Sequence, residues 1–160
     1  MGVLSKFLWK KVASGLVVGG LILGVFASWR YAVTEATARS SVDVISQGRQ
    51  IYADQCAACH GANLEGQPDW RQAGPDGVLP APPHDETGHT WHHADRMLFD
   101  YTKLGGKAAL ARQGMDFASG MPGFGDQLSD AEIWNIIAYI KSTWPERERA
   151  IQAERNADPG

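Results

Sequence analysis

The chain predicts a helical fold without a sheet, on three observations. Ile133, Ile136, Ile137 and Ile140 repeat at i, i+3, i+4 and i+7, the apolar stripe of an amphipathic helix. Ser129-Asp130-Ala131-Glu132, directly before them, forms a capping box. The stretch 61–90 is rich in Gly and Pro and has no sustained periodicity, which suits long loops rather than strands.

The elements follow in order. Val12–Trp29 is eighteen residues without a charge, about 27 Å as a helix and just enough to cross a hydrocarbon core. Lys6, Lys10 and Lys11 precede it and only Arg30 follows closely. That asymmetry predicts a single-pass anchor over residues 1–29, with the N-terminus in the cytoplasm and the rest on the periplasmic side of the cytoplasmic membrane. The alternative is a soluble periplasmic protein released by cleavage near Val25-Phe26-Ala27, but the apolar run is longer than a usual signal core. Gly15/Gly19 and Gly20/Gly24 give the anchor two faces for a neighbouring helix. Residues 30–42 are small and polar, a flexible tether.

Asp43 to Gln55 predicts a helix with Val44, Ile51 and Tyr52 apolar and Gly48 in the middle, where a close crossing would explain the glycine. Trp91 to Leu104 predicts a second helix, stopped by Gly105-Gly106, and Lys107–Arg112 a short turn. The capping box opens the last helix of the core, which Trp144-Pro145 ends. The main domain is thus 43–145, and 146–160 is a charged tail, frayed or disordered. Residues 1–40 carry +4 and residues 41–160 carry −7, within a net −3. An acidic globular part argues against nucleic acid as a partner.

Cys56-Ala57-Ala58-Cys59-His60 carries the chemistry. Two cysteines separated by two residues reach two haem vinyl groups from one turn of chain, and the adjacent histidine reaches the iron. A thioredoxin-like dithiol would need an α/β setting that is missing here. Because the chain has 2 cysteines, a zinc site would have to borrow histidines from 84–93. The motif therefore predicts one covalent haem c on Cys56 and Cys59, with His60 as an axial ligand.

The second ligand decides the reactivity. Candidates are Met97, Met115, Met121 and the histidines 84, 89, 92 and 93. Met121 lies in Gly120-Met121-Pro122-Gly123-Phe124-Gly125, a loop whose glycines turn close to a flat ring and whose proline restrains the methionine. Met97 falls in a helical apolar stripe, and Met115 is the runner-up. His60/Met121 ligation would fill both axial positions, raise the potential and leave the iron to pass electrons.

With Gly48 and Tyr52 before CAACH, a GMPGFG loop, and Ile136 and Tyr139 on the last helix, residues 43–145 resemble a class I cytochrome c. The similarity is nearest to the small bacterial monohaem domains of the diheme subunit of cbb3-type oxidases. The resemblance implies an all-α fold around one haem in which the first and last helices cross at Gly48. It also implies a proline carbonyl that accepts a hydrogen bond from His60; Pro80, Pro82 and Pro83 are available, and Pro82 is the choice. Trp70, Arg71 and Trp91 could reach haem propionates. His84, His89, His92 and His93, with Asp85 and Glu86, depart from a minimal domain of this family, and an auxiliary copper or zinc site is one reading of them.

The expected function is a tethered carrier of single electrons, not an enzyme, between partners such as a quinol-oxidising complex and a terminal oxidase. A fixed haem subunit of a larger oxidase or dehydrogenase is the alternative. A haem sensor or peroxidase-like protein with an open sixth position is a third.

Overall fold

The computed structural model describes the backbone of residues 3–157 and the side chains of residues 26–157. The described residues are helical and contain no strand. The chain divides into two compact units, Met1–Val42 and Asp43–Gly160. Helix α1 runs Val3–Gln55. It is followed by α2 (Ala57–His60), a 3₁₀ turn (Thr90–His92), α3 (Asp95–Leu104), α4 (Gly106–Ala111), α5 (Asp130–Thr143) and α6 (Glu146–Ala157).

The first unit corrects the expected membrane anchor. Most of Val12–Trp29, including the paired glycines, lies outside the residues whose side chains are described. Among the described residues, no helix is long and apolar enough to cross a membrane. Beyond residue 29, α1 carries Arg30, Glu35, Arg39, Asp43, Arg49 and Asp54, so residues 30–55 of this helix offer no apolar stretch to a hydrocarbon core. The single-pass anchor is overturned, and with it the topology and compartment derived from it. Residues 30–42, expected as a flexible tether, are helical. An i,i+4 pair of Glu35 and Arg39 (2.8 Å) supports them, and Thr34 and Thr37 donate to carbonyls one turn back.

The second unit is built on the crossing of α1 and α5. Gly48 is buried, and a Cβ there would overlap the Asn135 carbonyl oxygen and sit 3.0 Å from the Tyr139 Cβ. One turn on, Tyr52 is 1 % exposed and packs against Tyr139 with ring centroids 5.5 Å apart. Ile133, Ile136, Ile137 and Ile140 of α5 join Tyr52, Leu64, Trp91, Phe99, Phe124, Leu128 and Trp144 in one core. The capping box of α5 is formed: the Ser129 hydroxyl accepts from the Glu132 amide (3.3 Å), and the Glu132 carboxylate accepts from the Ser129 amide (2.8 Å).

Residues 146–157, expected to be a frayed helix or a disordered tail, form the docked helix α6. Ile151 packs against the core, and polar contacts do the rest. Gln152, 1 % exposed, donates to the Asp95 carboxylate (2.7 Å) and to the His93 carbonyl (3.2 Å). Asp95 also pairs with Lys141 of α5 (2.6 Å) and accepts from Asn156 (3.1 Å).

Two stability changes follow. Gly48→Ala pushes α1 off the Asn135 carbonyl and should cost about 1–3 kcal/mol by overpacking, read from urea unfolding. Gln152→Ala should cost about 1–3 kcal/mol, because it takes the donor from the His93 carbonyl, removes one of the donors to Asp95 and empties a buried site. A Gln152→Ala melt matching wild type would mean that α6 is not docked in solution.

Candidate functional site

The site begins where α1 ends. The Cys56 amide donates to the Tyr52 carbonyl (2.9 Å), and the His60 amide to the Cys56 carbonyl (2.9 Å), so one continuous turn carries both cysteines and the histidine. Cys59 is exposed, while Cys56 is half-buried against the core, and both are free thiols. Burial, with Cys59 adding to it, pushes the Cys56 thiol up to about 11. The attacking thiol of a dithiol redox centre is shifted the other way, so Cys56 is a poor candidate for that role.

His60 is buried, and its Nδ1 lies 2.9 Å from the Pro82 carbonyl oxygen. A carbonyl can only accept, so Nδ1 carries the proton and Nε2 keeps its lone pair. Burial lowers the imidazole pKa, and the bond to Pro82 partly opposes that. The neutral ring is the ligand form. The stretch holding Pro82 is fastened beside the motif: the Gln67 amide donates to the Ala81 carbonyl (2.9 Å), and the His84 amide to the Leu64 carbonyl (2.8 Å).

Met121 is placed by the junction of α3 and α4. The Gly106 amide donates to the Met121 carbonyl (3.1 Å), Phe124 to Thr102 (3.0 Å) and Gly125 to Lys103 (2.9 Å). Gly105 has φ +83, and a Cβ there would lie 2.7 Å from the Gly123 nitrogen, so only glycine lets the loop approach. The Met121 side chain packs on the core that Cys56 also touches. It lines an open apolar groove of about 400 Å³ with Leu104, Ala108 and Ala111. Met97 lies on α3, and Met115 is 43 % exposed.

The remaining predicted residues divide into separate contacts. Trp91 is buried, stacks on His92 (3.7 Å), and its Nε1 has no hydrogen-bond partner among the described residues. Trp70 stacks on His89 (5.3 Å, planes 8° apart) with the Arg71 guanidinium 4.0 Å above it, outside the core that holds Cys56 and Met121. His93 meets His89 edge-on. His84 stacks on His60 and turns its Nδ1 to the Thr90 hydroxyl (2.8 Å). Among the described residues, no three His, Cys, Asp or Glu side chains group so as to hold a metal ion. The contact of His84 with His60 is the feature that sequence reasoning missed. Its one signal was position, directly after Pro82-Pro83.

Burial, with His89, His92 and Arg155 nearby, lowers His93 from 6.5 to about 4. His89 is lowered as well, chiefly by burial. Between these values the unfolded chain binds the proton that folded His93 refuses, so stability rises with pH there. Stability should be full above about pH 6.5 and decline toward pH 4. His93→Gln should flatten that slope in unfolding curves taken across the range.

Comparison with known proteins gives a consistent result. A family model described as cytochrome c matches residues 45–144. The thiosulfate dehydrogenase of Stutzerimonas stutzeri (strain A1501) is 34 % identical over 98 residues, 61 % of this chain and 27 % of that protein. The cbb3-type cytochrome c oxidase subunit FixP of Rhizobium meliloti (strain 1021) is 44 % identical over 36 residues, 22 % of this chain and 12 % of that protein. The matched stretches thus span about a quarter or less of these relatives.

Proposed function

As the chain belongs to the cytochrome c family, we propose that it is a monohaem carrier of single electrons between redox proteins. Membership implies a covalently bound haem c, and the residues present fit one. Two free thiols stand one turn apart, beside a buried imidazole with an available Nε2. An open apolar groove adjoins Met121, and the orphaned Trp91 Nε1 is a donor that a carboxylate of the ring could satisfy.

The haem, when bound, supplies the one-electron couple. Cys56 and Cys59 would hold it through thioethers, and His60 Nε2 and the Met121 sulfur would bind the iron. Pro82 keeps the His60 proton on Nδ1 and so keeps Nε2 as the donor. The thioether favours the reduced iron and raises the potential. Two protein ligands would leave no position for a substrate, and Met121 and Cys56 both pack on the apolar core that holds Tyr52, Leu64 and Trp91. Donor and acceptor are proteins such as a quinol-oxidising complex and a terminal oxidase. The observation that carries this reading is the buried His60, tied to Pro82, directly after the two thiols.

A fixed haem domain of a larger oxidoreductase is the second reading. It is supported by the relatives, a dehydrogenase and an oxidase subunit that are each several times longer than the stretch they share with this chain. Purification from native cells separates the two: a defined stoichiometric complex favours the subunit, a free pool the carrier.

The ligand test is an optical and redox titration of wild type beside Met121→Ala. The variant should lose the sulfur-to-iron charge-transfer band and show a lower potential. An unchanged band and potential would remove Met121 from the iron. Carbon monoxide binding to the reduced wild type without loss of a methionine ligand would replace the carrier with a protein that has an open sixth position.

A further inference from the structure

His84 lies face to face with His60. The ring centroids are 4.1 Å apart and the planes 19° from parallel, which is direct contact between two flat rings. His84 is itself held on several sides. Its Nδ1 is 2.8 Å from the Thr90 hydroxyl, and its amide donates to the Leu64 carbonyl (2.8 Å). Its carbonyl accepts from Trp144 Nε1 (2.7 Å). Thr90 is buried, and its hydroxyl donates in turn to the Pro83 carbonyl (3.4 Å). The Thr90 hydroxyl thus bridges His84 Nδ1 and the Pro83 carbonyl, tying the ring to its own stretch of backbone. Tyr52 closes the remaining side edge-on, with centroids 6.2 Å apart.

The geometry points to His84 as a positioning residue that fixes the plane of the His60 imidazole. This rests on the reading of His60 as an axial ligand. The Pro82 carbonyl holds the ring at one edge atom and leaves it free to rock about the Nδ1–oxygen line. A second ring laid on its face removes that motion. Both restraints come from the consecutive residues Pro82-Pro83-His84, so edge and face are fixed by one rigid stretch of backbone. The plane of an axial imidazole selects which iron d orbital holds the unpaired electron in the oxidised state. His84 therefore acts on the couple through His60 without touching the iron.

The test uses the oxidised holoprotein and the proton resonances of the haem methyl groups, whose spread reports the orientation of the ligand plane. His84→Ala should change that spread, and His84→Phe, which keeps a flat ring, should return it toward wild type. A spread unchanged in His84→Ala overturns the proposal, as does a change that His84→Phe fails to reverse. If His84→Ala does not hold haem, Thr90→Val decides: a smaller change in the same resonances supports the role, and no change overturns it. Failure of the reading of His60 as a ligand looks different, because wild type itself would then lack the low-spin histidine-ligated spectrum.

Discussion

The crossing at Gly48 brings the α1 backbone against the Asn135 carbonyl of α5, a contact that no side chain at position 48 would permit. The site inherits its geometry from that contact. Eight residues beyond Gly48, α1 hands over to the turn carrying Cys56, Cys59 and His60. Tyr52, pinned between the helices, donates its hydroxyl to the Gly61 carbonyl (2.9 Å) and thereby fixes the exit from the motif. Burial raises the Tyr52 pKa well above its ordinary value, so the phenol stays a donor. On the other helix, Ser129 starts α5 directly after the Met121 loop, so its register also limits where that loop can lie.

The two proposed ligands are held by different physical means. His60 is fixed through its side chain: a carbonyl at one edge, a ring on one face, and burial that keeps it neutral. Met121 is fixed through its backbone, by amide–carbonyl bonds to the end of α3 and the start of α4, while its side chain lines an open apolar groove. This difference suits the chemistry. An imidazole ligand must have a defined tautomer and plane, whereas a thioether needs only to be delivered to the right place and kept dry.

Much of this was legible in the sequence because it is written in local patterns. The capping box, the isoleucine stripe and the CxxCH spacing each involve residues within one or two turns of one another. What stayed hidden depends on partners far apart in the chain. α6 has no apolar stripe to announce it; Gln152 is buried because Asp95, 57 positions away, offers a carboxylate. A charged composition that usually marks a solvated tail is here the outer face of a docked helix. His84 was read with the neighbouring histidines as a possible metal ligand, since composition cannot tell four imidazoles meeting at one ion from three rings stacked on separate partners and a fourth set edge-on to one of them.

The Asp95 network bears on the site as well as on α6. Asp95 is the first residue of α3, and it gathers Lys141 from α5 with Gln152 and Asn156 from α6. Lys103, in the last turn of the same helix, pairs with Asp130 at the start of α5 (2.6 Å). The helix is thus tied to α5 at both ends by charge, and Phe99 stacked on Trp134 (4.7 Å) ties its middle. The exposed Lys103–Asp130 pair contributes little by itself, about 0–1 kcal/mol, whereas the half-buried Asp95 carboxylate would be costly to leave unpaired. Because the C-terminal carbonyls of α3 anchor the loop of Met121, a helix restrained along its whole length leaves that methionine little freedom to drift. α6 lies outside residues 45–144, the stretch that matches the family, and it adds to the domain by completing the donors around Asp95, at the far end of the helix whose last carbonyls hold the Met121 loop.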